Sequence, residues 1–99
     1  MKACIKNLKR VLRLCADAHN CDFDDWSDEG QLGVWSITPA TICDVQLVLD
    51  SFYGNHDAIE VSSDVGCTTI WLDEDMDKGD RDVDMMSLSL ALPYGTELE

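Results

Sequence analysis

The residues best equipped for chemistry in this chain are carboxylates, and they gather in two runs. The first is Asp22-Phe23-Asp24-Asp25-Trp26-Ser27-Asp28-Glu29, where acids surround two aromatic residues. The second is Asp73-Glu74-Asp75-Met76-Asp77-Lys78-Gly79-Asp80-Arg81-Asp82-Val83-Asp84. Carboxylates in such density hold cations, either metal ions or the Lys and Arg side chains of another protein. A tryptophan ringed by acids on a loop suits an interface anchor, because Trp dominates binding hot spots and surrounding charge steers encounter. Trp26 could equally fold back to cap the core. In an extended chain Asp80, Asp82 and Asp84 project to one side about 6.7 Å apart. That spacing is similar to successive phosphates along a nucleic-acid strand. Carboxylates so arrayed could occupy the basic contacts of a nucleic-acid-binding groove through charge-assisted, often bidentate, Arg pairs, with salt-sensitive affinity. The candidate partner-binding residues are therefore Asp24, Asp25, Trp26, Asp28 and Glu29 in the first run, and Asp73, Glu74, Asp75, Asp77, Asp80, Asp82 and Asp84 in the second.

Metal chemistry fits less well. Asp73, Asp75 and Asp77 stand at positions 1, 3 and 5 of a calcium-loop pattern, but position 12 is Asp84 rather than a bidentate Glu, and Gly79 comes one place late. A solvated connection explains the run more simply, with calcium as an alternative. Cys15, His19 and Cys21 could ligate zinc, yet no paired C-x-x-C spacing accompanies them. Burial of cysteine as a small hydrophobe accounts for the same residues. The two histidines, His19 and His56, stand without a nucleophile elbow, a phosphate-binding glycine loop or an H-E-x-x-H motif. The expectation is a protein that is not an enzyme and that holds no metal or cofactor.

Composition supports binding by charge. Twenty Asp and Glu oppose seven Lys and Arg in 99 residues, a formal net charge of −13. The distribution is uneven. Lys2, Lys6, Lys9, Arg10 and Arg13 precede every acid, and only Lys78 and Arg81 accompany the twenty acids that follow. A field of this sign repels nucleic acid and anionic membrane and raises on-rates with basic proteins. The cations of the first segment are expected to pair with some of the acids. A salt-adapted protein whose acidity serves only solvation is a further alternative. Five cysteines, an odd number at irregular spacing, suggest free thiols in a reducing cytoplasm. Lys6, Lys9, Arg10 and Arg13 interrupt any leader-like apolar stretch, and no run reaches membrane-spanning length.

These residues need elements to position them. Ile5, Leu8, Leu12 and Cys15 give helical spacing over 2–19, with Lys2, Lys6, Lys9 and Arg13 opposite. Residues 22–31 read as a loop and 32–37 as a short strand. Pro39 and a Thr41–Asp44 capping box open a second helix, Ile42, Val45, Leu49 and Phe52 mark its apolar face, and Gly54 closes it. Strands follow over 58–63 and 67–72, with Trp71 opposite Ile70 and Leu72. Strict alternation of Met86, Leu88, Leu90 and Leu92 with Ser and Ala predicts a last strand. Trp35 and Trp71, in strands, are expected to be mainly structural, Trp71 with the chance of exposure. The fold class is α+β in one domain over 1–99: two helices packed on one face of a small, mostly antiparallel four-stranded sheet, in the order α-β-α-β-β-β, with the other face solvated.

The function expected from these features is a small acidic inhibitor that occludes the basic nucleic-acid-binding surface of a partner protein, a nuclease or defence-system effector. A phage-encoded, anti-CRISPR or anti-restriction-like DNA mimic is one such class. An immunity protein or antitoxin against a basic nuclease is the alternative, and a calcium- or zinc-binding module a second.

Overall fold

The computed structural model describes residues 1–35, 39–54, 61–64, 66–72, 74–77, 81–93 and 95–96, with the side chains of 39, 61–64, 74 and 75 excepted. The architecture is α+β: three helices and an antiparallel sheet. Helix α1 spans Ile5–Ala18, strand β1 Asp22–Trp26, β2 Gln31–Trp35, helix α2 Pro39–Tyr53, β3 Val61–Asp64, β4 Cys67–Trp71 and helix α3 Met85–Ala91. Short 3-10 turns occupy Ser27–Glu29 and Glu74–Asp77. Strands lie in the order β1-β2-β4-β3, and all three pairings are antiparallel.

Helix α1 forms as its apolar spacing requires, burying Leu8, Val11, Leu12, Cys15 and Ala16. Its start is not self-capped: Cys4 offers no side-chain bond, and the Ile5 N–H donates instead to Asp77 Oδ1 at 2.7 Å. Helix α2 buries Val45, Val48, Leu49 and Phe52. It ends where Gly54 takes a φ of +69° and donates its N–H to the Asp50 carbonyl at 2.8 Å. The expected capping box is overturned, because Thr41 and Asp44 lie inside the helix, Thr41 fully buried.

The strands expected near 32–37, 58–63 and 67–72 correspond to β2, β3 and β4, but two other segments depart from expectation. Residues 22–26, read as a loop, pair with β2 along its whole length. Only Phe23 is apolar and inward-directed there, so the acids hide the alternation. Residues 86–92, read as a strand, lie almost wholly in α3. The same spacing that alternates along a strand contains helical i,i+4 pairs. Here Leu88 and Leu92 turn inward while Met86 and Leu90 stay exposed, at 84% and 73%. Asp84 decides between the two readings: it caps the helix, accepting from the N–H groups of Met86 and Ser87 and from the Ser87 hydroxyl. Within the expected strands 32–37 and 58–63, residues 36, 37 and 58–60 lie outside the described residues.

The core joins Leu32 and Ile70 of the sheet to Leu8, Val11, Leu12 and Cys15 of α1, Val45, Leu49 and Phe52 of α2, and Leu88 of α3. One sheet face therefore looks onto helices. Cross-strand register places Phe23, Asp25, Leu32, Val34, Thr68 and Ile70 on that face. The opposite face carries Asp22, Asp24, Trp26, Gln31, Gly33, Trp35, Cys67, Thr69 and Trp71.

Candidate functional site

All three tryptophans of the chain stand on the sheet face turned away from the helices. Trp35 is 38% exposed and Trp71 44% exposed, whereas Trp26 is half-buried. Exposed large aromatic rings sharing one open face are uncommon on a small domain and mark interaction surfaces.

Their arrangement follows from the strands. Gly33 sits at the middle of β2, and a Cβ there would meet the Trp26 ring at 2.5 Å. The indole of Trp26 thus lies across the glycine backbone and takes the space of the absent side chain. It meets Trp35 edge-on, with ring centroids 6.1 Å apart and planes at 88°. The Trp35 indole N–H donates to the Asp24 carboxylate, two positions from Trp26 on β1. Asp22, exposed, stands directly opposite Trp35 in the register, and Gln31 directly opposite Trp71. The face is therefore an aromatic floor locked by packing and one side-chain bond, with carboxylates along its β1 edge.

The other candidates of the first run fall elsewhere. Asp25 points toward the helices, where it accepts from the Ser27 N–H at 2.9 Å and from Lys9 Nζ at 3.1 Å. The Ser27 bonds and then Lys9 hold its carboxyl down to about 2. Asp28 and Glu29 are exposed on the 3-10 turn beyond β1. Trp26 neither caps the core nor projects from a loop; it packs on the open face.

Several described residues of the second run hold the fold together. Asp77 caps α1 from 72 residues away. Asp84 caps α3, and those hydrogen bonds hold its carboxyl below the usual range. Asp82 pairs with Lys2 at 3.3 Å, both side chains well exposed, beside a backbone bridge between the same residues. Glu74 and Asp75 belong to a 3-10 turn, and Asp73 and Asp80 lie outside the described residues. A free row of three extended carboxylates is not what this segment presents, since Asp84 is spent on a helix terminus. Even Arg81 has a structural task, donating to the Tyr53 carbonyl at the end of α2.

The basic first segment behaves as expected in part: Lys2 and Lys9 form the ion pairs above, and the Arg13 guanidinium lies 5.3 Å from the centre of the Phe23 ring. The three residues weighed for zinc have other surroundings in the fold. Cys15 is fully buried, and burial, then the charge of Asp44 and Cys21, push its thiol up to about 12. His19 Nε2 pairs with Asp44 Oδ2 at 2.6 Å. No group of three or more His, Cys, Asp or Glu gathers for a metal among the described residues. All five cysteines are free.

Two features escaped sequence reading. The His19–Asp44 pair borders a cavity of about 260 Å³ lined by Ala18, Leu90, Ala91, Leu92 and Pro93; the partners are 25 residues apart, with no local signal. The outward turn of Trp35 is the second: with Leu32 and Val34 directed inward, strand alternation sets Trp35 on the opposite face. Among the described residues no helix is long and apolar enough to cross a membrane. No known protein family matches the sequence, and no curated protein and no solved structure matches it either.

Proposed function

We propose that this chain is a non-catalytic binding protein that uses its open sheet face to engage and occlude the basic nucleic-acid-binding surface of a partner. The observation that carries the reading is the set of three tryptophans, two of them well exposed, on one acid-edged sheet face turned away from the helices in a protein with net charge −13. Aromatic residues supply contact area at low entropic cost, and long-range charge selects basic partners and accelerates encounter. Asp28 and Glu29 extend the negative edge beyond Asp22 and Asp24. The run at 74–84 contributes field rather than contact, since several of its carboxylates are tied to the fold. An inhibitor of a defence nuclease and an immunity protein against a nuclease toxin would both use this surface.

Capture from a host lysate at low and high salt, followed by competition with duplex DNA, tests the reading. The expected outcome is a nucleic-acid-binding protein whose retention falls with salt and is competed by DNA. Exchange of Asp22, Asp24, Asp28 and Glu29 for Asn or Gln together abolishes retention without unfolding the chain. Retention indifferent to salt, DNA and these exchanges would sink it.

A further inference from the structure

We infer that the tryptophan face is an arginine-reading site: it takes an extended segment of a basic protein that presents arginines at positions i and i+4. The inference rests on the basic-partner reading above and names the chemistry of the contact.

Two aromatic stations are separable on the face. The first is Trp35, with Asp22 directly across the β1–β2 pair and Asp24 bonded to its indole nitrogen. Directly opposed residues bring their Cβ atoms within about 4.5–5.5 Å. A cation stacked on the Trp35 ring would therefore lie within reach of the Asp22 carboxylate. The second station is Trp71, the more exposed ring, with Gln31 across the β2–β4 pair. Trp35 lies four residues along β2 from Gln31 and one strand across from β4. Strand rise and spacing then set the two stations about 14 Å apart. That distance matches four residues of extended chain, and residues i and i+4 of such a chain point the same way. Between the stations the Trp26 ring covers Gly33 and meets Trp35 edge-on, so the floor is aromatic and one ring stands across the other.

Arginine fits both stations better than lysine. Its guanidinium is planar, weakly hydrated and stacks on indole faces at either station, and beside Trp35 it can bond the Asp22 carboxylate at the same time. Lysine offers a compact, strongly hydrated charge and no stacking plane. Charge complementarity comes from Asp22 and Asp24 on the face and from the surplus of acids around it.

The test uses the intact chain and two synthetic heptapeptides in a Gly/Ser background, one with arginine at positions 2 and 6 and one with lysine there. Binding is followed by the three indole N–H resonances. The arginine peptide is expected to bind about three- to fivefold tighter than the lysine peptide, and to move the Trp71 and Trp35 indole signals. Trp71→Ala and, separately, the exposed Asp22→Asn should each remove most of that preference; the peptide comparison on the unaltered chain needs no variant to fold. Equal affinity for both peptides, with shifts at Asp28 and Glu29 and none at the indoles, overturns arginine reading while leaving a basic partner in place. No binding of either peptide at low salt overturns both. Indole shifts with a neutral oligosaccharide and none with the peptides would assign the face to an uncharged ligand and overturn the inference.

Discussion

The open sheet face and the segment 74–84 are both acidic, yet the fold employs them in opposite ways. On the sheet face the carboxylates stand at the edge of exposed rings, and only Asp24 carries a described bond there, to an indole that is itself part of the surface. In 74–84 the described carboxylates serve the chain itself: Asp77 closes the start of α1, Asp84 the start of α3, and Asp82 meets Lys2 at the surface. Composition cannot separate the two, because an Asp serving as a cap and an Asp awaiting a cation are the same residue. What separates them is whether an orphaned backbone N–H lies within reach. The lesson is that density of charge locates a field, whereas the proposed contact surface lies where aromatic rings are exposed beside that charge.

Substitutions can break this contrast. The largest effect on stability should come from Gly33→Ala. The new methyl would lie 2.5 Å from the Trp26 ring, so the indole must move, and overpacking of this kind costs about 1–3 kcal/mol. Chemical denaturation measures it, and the loss of the Trp26–Trp35 edge contact should appear in near-ultraviolet circular dichroism. An unchanged midpoint would mean that the rings are not locked as described.

Asp77→Ala comes next. It leaves the Ile5 N–H without its partner, at a cost of about 1 kcal/mol, typical of a lost helix cap. Amide exchange should quicken at the first turn of α1, and affinity for a basic partner should hold. Asp84→Ala should lower the thermal midpoint and fray α3, again without touching the tryptophan face. If either variant weakens binding more than stability, the segment 74–84 belongs to the contact surface after all.

Asp25 gives a pH signature of smaller size. Its folded carboxyl sits at about 2, below the ordinary value near ~4 in an unfolded chain. The ionised form is thus favoured by folding. Its contribution is fully present above pH ~4 and is lost as pH falls through about 2. The stability difference between the unaltered chain and Asp25→Asn should therefore shrink over that interval, as thermal melts across pH would record. A difference constant down to the lower limit would show that the Ser27 and Lys9 bonds do not act on the charge.

The smallest effect belongs to Asp82→Asn. The pair with Lys2 is well exposed, and exposed pairs contribute at most about 1 kcal/mol and often nothing measurable. A stability change within about 0.5 kcal/mol is expected. A larger one would show that this end of the segment is as structural as Asp77 and Asp84.

Much of this was legible in the residues. The 3.6-residue spacing of Leu8, Val11, Leu12 and Cys15 permits one outcome, a helix with one buried stripe, and Gly54 marks the end of the next. The acidic surplus and its absence before Asp17 are facts of sequence. The alternation of Ile70 and Trp71 also foretold an outward Trp71. Where a pattern fits two periods, the residues alone could not decide. Met86, Leu88, Leu90 and Leu92 satisfy both a strand and a helix, and only a cap at Asp84 with inward room for Leu88 selects the helix. Asp22–Trp26 looks like a loop because its strand character lies in pairing with β2. The gathering of Trp26, Trp35 and Trp71 was beyond reach for the same reason. They are brought together by register between strands, which no local spacing encodes, and by the shared apolar core lying against the other face. Sequence determined that this protein is acidic, helical where its periods are unambiguous, and rich in groups that attract cations. Tertiary structure decided which acids are consumed as caps and which stand beside open rings, because hydrogen-bond partners and burial exist only once the chain has closed on itself.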